Sequence, residues 1–559
     1  MPGADPGLSF WDKTPDWYWR THDRARIVGV PLSRFDDVND KIATQIRRTA
    51  RMREFDRLIE FNTVPVVLED ASFRKSFVST KGKWLLNGAS GTRLRNNYKW
   101  KYAELDPGAE IDDRQHAYFD DCQARSGEHA VPVTTEDIRD MDFTVDTRNT
   151  FNYYHFVTES LPQLCLLDGL DHRGRIFIHY PNSQPSGFVM GFIRALFPEL
   201  AERVVLERAP KHYDRVLCAF SLRHYYYQTS DEVIPSVDRH APGGWIWQGR
   251  KAFRPSQGVL WQNSVDHCLL KLRERALKAI EGRDTSHLPR RFWVGRSAEG
   301  AARNRAMKGE AAIVAALKTY GFDVVEFEKL EPLDQIAVMA NAEVMISYHG
   351  AGFTNMLFAG ADTHVIELGT LQTALYRWAD FQPHAHAAGC HYTSFFADHH
   401  TATPREIPKF SEDSIVPVDL AGERMNLLIG FVAALLDMRI PGLTGAEVGK
   451  LANILRVAGL SDAATRLIGQ HGDLIGKEIE VTTTKAELCI ESGDYTGALE
   501  ALGMAYKLDN SRYRLLQRMV FLARKAKRND RIPEIMAELE QRFPDQHAEF
   551  VAGLNWYTP

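Results

Sequence analysis

Between residues 291 and 368 the 559-residue chain alternates short apolar, strand-like runs with segments of helical period, and one glycine turn stands at a strand end. The runs 291–294, 322–327, 344–347 and 365–368 read as strands, and 308–320, 333–340 and 353–358 as helices. Ile313, Ala316, Leu317 and Tyr320 share one face of the first helix, and Gly321 ends it. Strands joined through helices of this length pair in parallel, because a tight hairpin connects only antiparallel neighbours. The pattern predicts a Rossmann-like sheet. A second block precedes it. It has a helix at 153–167 that Pro162 should kink or stop, strands at 175–179, 203–206 and 215–220, and helices at 188–197 and 268–281. Two such blocks predict two lobes facing across a cleft, with ligands at the carboxyl ends of the strands.

These blocks divide the chain. Residues 61–285 form the first lobe and 286–440 the second. Residues 1–60 read as an N-terminal extension with a basic helix at 42–59, and 64–68 and 83–86 as short strands. Residues 441–559 read as all-helical with a period of 34: Gly459, Gly493 and Lys527 align, as do Ala464, Ala498 and Ile532, and Ile468, Leu502 and Met536. The unit 486–509 resembles the tetratricopeptide helix pair, whose neighbours stack to cover one another's apolar faces and present a surface for a protein partner. The expected fold class is therefore α/β, two Rossmann-like domains followed by an all-α repeat domain.

Charge and cysteine usage narrow the function. A net charge of −5 lacks the basic imprint of a nucleic-acid binder. The six cysteines are scattered without a zinc-type pair and read as reduced, buried thiols. The start of the chain lacks a secretory pattern, and the longest apolar run, 427–436, is too short to span a bilayer. The expected compartment is the cytoplasm, with a peripheral place at the inner face of the membrane as the variant of that reading.

The sharpest motif is Tyr348-His349-Gly350-Ala351-Gly352, between a strand and a helix. Its glycines allow close backbone approach, and the helix start offers unpaired N–H groups that suit phosphate. Glu367 ends the next strand, where a carboxylate can accept from ribose hydroxyls. Arg296, Arg303 and Asn304 (with Arg305) follow the lobe's first strand, and guanidinium groups bind phosphate oxygens in pairs. In the first lobe Asn152, His155 and Glu159 fall on one helical face, where a carboxylate beside a histidine makes a plausible general base.

Taken in order, these residues resemble glycosyltransferase family 61. The matching positions are Asn152-Tyr153-Tyr154-His155-Phe156-Val157-Thr158-Glu159-Ser160-Leu161-Pro162, then Arg296, Arg303 and Asn304, Gln335, His349-Gly350-Ala351-Gly352, and Ile366-Glu367. Phe156 stands where Trp is common in the family. The resemblance implies a GT-B fold and an inverting transfer of xylose, arabinose, N-acetylglucosamine or a similar sugar, and no metal is expected if Arg296, Arg303 and the 349–352 helix start supply the positive charge. The donor would be a nucleotide-diphosphate sugar and the acceptor a glycan or lipid-linked glycan, in surface polysaccharide synthesis. His155 or Glu159 would then be the base. Arg296, Arg303, Asn304 and 349–352 would hold the diphosphate, and Glu367 the ribose.

Three other readings compete. Asp140-Met141-Asp142 has the spacing of a metal-bridging acid pair but reads as a surface turn. His384, His386, His391, His399 and His400 cluster in a loop-like stretch with irregular spacing. The repeat tail makes a non-catalytic scaffold, with a degenerate enzyme domain, the alternative function.

Overall fold

The computed structural model describes residues 8–9, 18–51, 55–74, 77–85, 87, 137–147, 152–180, 185–221, 223, 262–295, 307–409 and 413–556. Arg296, Arg303, Asn304 and Cys122 lie outside these residues, and the five described cysteines are free and buried.

The early chain supplies strands β1 (Leu8–Ser9), β2 (Tyr18–His22), β3 (Arg26–Pro31), β4 (Leu58–Phe61), β5 (Thr63–Arg74), β6 (Phe77–Thr80) and β7 (Lys83–Leu85). The first unit continues with β8 (Phe143–Val145), β9 (Ile176–Tyr180), β10 (Val204–Arg208), β11 (Lys211–Ser221) and β12 (Ser264–Asp266). Its main sheet has eight strands in the order β1-β7-β6-β5-β11-β8-β9-β10. Only part of it is Rossmann-like. β10, β9, β8 and β11 run parallel, whereas β5, β6 and β7 form an antiparallel meander against β11. The β6–β7 connection is Lys81-Gly82, both at positive φ, a two-residue turn whose twist matches a hairpin.

The second unit is the parallel sheet that the alternation predicts. Its strands are β13 (Arg291–Val294), β14 (Asp323–Val325), β15 (Val344–Tyr348), β16 (His364–Thr370) and β17 (His391–His399), with β18 (Val418–Asp419) antiparallel at the end. The order β14-β13-β15-β16-β17 is a doubly wound 2-1-3-4-5 pattern. The chain leaves β13 in one direction and the later strands in the other, so the topological switch lies between β13 and β15. Alternate residues face opposite layers: Phe292 joins the core shared with the first unit, and Trp293 the core on the other face.

Two expectations about boundaries change. Residues 26–51, expected in a separate N-terminal extension, are woven into the fold: β3 pairs in parallel with β17 as an outer strand of the second sheet, and helix Asp36–Arg51 packs beside it. The expected basic helix at 42–59 begins and ends earlier, and β4 takes its last residues because Leu58, Ile59 and Phe61 bury in a small sheet with β2 and β12. The two units also share one continuous core. Phe192, Leu269 and Leu272 of the first pack with Ile336, Met339 and Phe353 of the second.

Beyond helix Glu423–Leu435 the chain is all-helical. Helices Gly445–Val457, Ile479–Glu491 and Tyr513–Lys525 start 34 residues apart (445, 479, 513), and each is followed by a partner: Ser461–Gln470, Tyr495–Leu508 and Ile532–Arg542. Gly459, Gly493 and Lys527 sit just past the first helix of each pair at φ 73°, 80° and 57°. This is the left-handed cap that lets a helix turn back on itself. The first pair is not a separate body, because Val448, Leu451 and Leu467 join the core of the second sheet. Among the described residues no helix is long and apolar enough to cross a membrane.

Two tests follow. Glu60, fully buried on β4, takes His22 and His267 at 2.5 Å each and Arg20 at 2.6 Å. Burial alone would raise its pKa, but these partners outweigh burial and bring it from 4.5 to about 2. Its folded value is depressed, so its stabilisation is full above about pH 4.5 and is lost as pH falls toward 2. Glu60→Gln should lower the thermal midpoint near neutral pH, and the difference from wild type should shrink through that acid window. At Gly449 a Cβ would meet Glu480 Cβ at 2.5 Å and Val481 N at 2.6 Å. Gly449→Leu should therefore cost about 1–3 kcal/mol of stability in chemical denaturation by forcing the first two helix pairs apart.

Candidate active site

The first candidate pair sits on an irregular helix. The expected single helix at 153–167 is three types in succession: α over Tyr153–His155, π over Phe156–Ser160 and 3-10 over Leu161–Leu167. Leu161 N–H reaches back to Phe156 O, the five-residue span of a π turn, and such turns recur at functional sites. Pro162 falls in the first turn of the 3-10 stretch, where its missing N–H costs nothing. Asn152 is the N-cap, accepting from His155 N–H at 3.3 Å, so its role here is to start the helix. Gln163 anchors the π turn: its amide donates to Glu159 O and Asp146 O at 2.8 Å and accepts from Asp146 N–H at 2.9 Å.

This geometry leaves His155 Nδ1 3.2 Å from Glu159 Oε2, with both side chains mostly buried (16% and 11% exposed). At that distance the carboxylate lies beside the imidazole, one helical turn along. Tyr154, His155, Thr158 and Glu159 keep some exposure, whereas Phe156, Val157 and Ser160 are buried, so the four share the accessible face.

The second candidate set stands at the topological switch. His349 follows β15, and its Nδ1 lies 2.5 Å from Glu367 Oε1. Glu367 is fully buried, and its other oxygen accepts from Tyr392 O–H at 2.6 Å and Ser394 O–H at 2.9 Å. Burial, with the carboxylate beside it, pushes the Tyr392 phenol well above its ordinary value, so it stays a donor. These partners occupy the carboxylate that ribose hydroxyls were expected to use; its geometric role is to hold His349. The helix after the turn is 3-10, Ala351–Phe358, in place of the α-helix start expected to present N–H groups. Gly352 is closely packed: a Cβ there would meet Val294 Cγ1 at 3.3 Å and Phe327 at 3.6 Å.

Aromatic rings join the two sets. The His155 ring lies 5.1 Å from Tyr154, Tyr154 lies 5.5 Å from Phe381, and Phe381 lies 5.2 Å from His349. Tyr153 O–H donates to Asn355 Oδ1 at 2.6 Å, and Tyr154 O–H to Asp380 O at 3.1 Å. The His155 helix is thus fastened to the second unit at Asn355 within its switch-point helix and at Asp380.

Residues 153–366 match the glycosyltransferase 61 family model. No curated protein matches the chain. The match supports a glycosyltransferase, which uses a sugar donor and an acceptor. The glycosyltransferase 61 region encloses His155, Glu159, His349, Gly350, Ala351 and Gly352, and Glu367 follows its last residue.

The sequence alone left several partners unnoticed. Tyr392 and Ser394 carry no motif; only the β16–β17 pairing, which sets Glu367 opposite Ser394, brings them to the carboxylate. The histidine-rich stretch taken for a loop is a helix, Gln382–Ala388, followed by β17. His384 points to Thr158, His386 Nδ1 accepts from Ala25 N–H, and His391 stacks on His364 at 4.4 Å. Asp142 of the Asp-x-Asp pair is held by Arg175 at 2.8 Å.

Glu367→Gln should be costly, because an amide turns a donor toward groups that already donate. The expected loss is about 2–3 kcal/mol in thermal or chemical unfolding; an unchanged midpoint would show that the carboxylate is not the anchor of His349.

Proposed function

We propose that the chain is an inverting glycosyltransferase of GT-B type that moves a sugar from a nucleotide-diphosphate donor to a hydroxyl of a glycan or lipid-linked glycan. The observation that carries this reading is the family match over residues 153–366, which encloses His155, Glu159 and His349 and stops one residue before Glu367, so that one histidine–carboxylate pair lies at a π turn and a second at a topological switch point. The acceptor oxygen attacks the anomeric carbon, the bond from that carbon to the phosphate oxygen breaks, and the diphosphate leaves. Inversion follows from this single displacement.

His155 takes the acceptor proton, with Glu159 orienting the ring and compensating the charge that forms. His349, held by Glu367, hydrogen-bonds the donor at the switch point. There the 349–352 turn follows β15, the strand that pairs in parallel with β13. Arg296, Arg303 and Asn304 come next in sequence after β13 and meet the diphosphate, stabilising negative charge as it develops. The helix pairs of residues 445–542 act as a tetratricopeptide-like platform for a protein partner. Surface polysaccharide synthesis at the cytoplasmic face of a membrane is the setting that suits such a donor and acceptor.

The test is calorimetry of the purified chain with UDP, GDP, CMP and ADP and their sugars, followed by turnover of whichever donor binds. One nucleotide should bind. His155→Ala should cut turnover by about 10²–10⁴-fold while leaving nucleotide affinity within a few-fold, as expected for loss of a general base. A well-folded protein that binds none of the panel would sink the donor assignment and leave the scaffold reading.

A further inference from the structure

Thr158 lies three residues after His155 and one before Glu159, on the same partly exposed face. Helical threonines commonly bond the carbonyl four residues back. The bond recorded for the Thr158 hydroxyl instead crosses to the second unit, where Oγ1 lies 2.8 Å from His384 Nε2. His384 is fully buried and lies beyond the region that the family model matches. Tyr154 and Phe381 pack against its ring at 5.7 and 6.0 Å, so it has little freedom to turn.

Burial, with the Arg223 guanidinium adding to it, lowers the His384 pKa to about 3. The ring is therefore neutral wherever His155 could work as a base, and it fixes the direction of the Thr158 hydroxyl without adding charge. A hydroxyl has one proton and two lone pairs. Whichever of these His384 engages, Thr158 keeps a second hydrogen-bonding direction. The buried neighbours Phe156, Val157 and Ser160 close the other side of the helix. Thr158 itself keeps partial exposure, as His155 and Glu159 do.

We propose that Thr158, held by His384, binds the acceptor sugar at the hydroxyl next to the one that attacks. This rests on the glycosyltransferase reading above. Two hydroxyls on adjacent ring carbons suit two polar side chains set side by side on one helix face: His155 takes the proton of one, and Thr158 hydrogen-bonds the other. Thr158 is then a substrate-binding residue and His384 a positioning residue that acts through it.

The experiment is steady-state transfer from the sugars of UDP, GDP, CMP and ADP to a panel of methyl glycosides and their monodeoxy derivatives. It uses the full chain and the variants Thr158→Val, Thr158→Ser and His384→Phe, with circular dichroism to confirm folding. Thr158→Val should raise the acceptor KM by about 10-fold, the size of one lost hydrogen bond, with donor KM changed less than twofold. Thr158→Ser keeps the hydroxyl and should restore the acceptor KM. His384→Phe should move it in the same direction as Thr158→Val. A monodeoxy acceptor lacking the neighbouring hydroxyl should be used equally by wild type and Thr158→Val. An unchanged acceptor KM in a folded, active Thr158→Val protein overturns the assignment, as does a rise in donor KM alone. A folded wild type that transfers to none of the panel overturns the transferase reading itself, and this assignment with it.

Discussion

A carboxylate with no exposure to water must be fully hydrogen-bonded, and Glu367 meets that demand in a way that organises the second unit. Its partners come from the ends or middles of three successive parallel strands: His349 just past β15, and Tyr392 and Ser394 on β17, with Glu367 itself on β16. Removing any one leaves the buried carboxyl short of a hydrogen bond. The network therefore ties strand register to the orientation of one imidazole, which stands beside the switch point of a 2-1-3-4-5 sheet.

The opposite histidine is positioned by other means. A π turn gives up regular helical bonding, so its geometry has to be imposed by its surroundings. Gln163 does this from the first unit by bridging Glu159 O and Asp146. Tyr153, Tyr154 and Thr158 do it from the second, through Asn355, Asp380 and His384. With a continuous apolar core beneath, the two units hold His155 and His349 at either end of the Tyr154–Phe381 ring pair. The proposed base and the proposed donor-side histidine are thus referenced to one another by packing, which suits chemistry that depends on orientation.

The flanking segments reinforce the second sheet. β3 lengthens it at the β17 edge, and helix Glu423–Leu435 with the first helix pair covers the face that the first unit leaves open. The Gly459 cap brings the end of that first helix against the Arg26 guanidinium at the start of β3. The helical stack therefore grows out of the α/β core as a continuous apolar layer, its outer pairs burying their own set around Leu502, Val520 and Leu539.

The alternation over 291–368 determined the parallel sheet, because apolar period and connection length leave few other solutions. The 34-residue spacing located the helix pairs for a similar reason: Gly459, Gly493 and Lys527 mark where each first helix must end. His155, Glu159 and the His349–Gly352 turn were legible because their spacing along one segment is local. Long-range pairing decided the rest. The antiparallel half of the first sheet depends on β11 finding β5, and residues 26–31 join the second sheet only through β17. Glu367 read as a ribose acceptor from its place at a strand end; that it is buried against His349, Tyr392 and Ser394 shows only in the tertiary structure. His384 read as chance because its partner Thr158 is 226 residues away. A sequence records local period and turn chemistry directly, whereas the partner of a buried polar group is chosen by whichever distant segment packs against it.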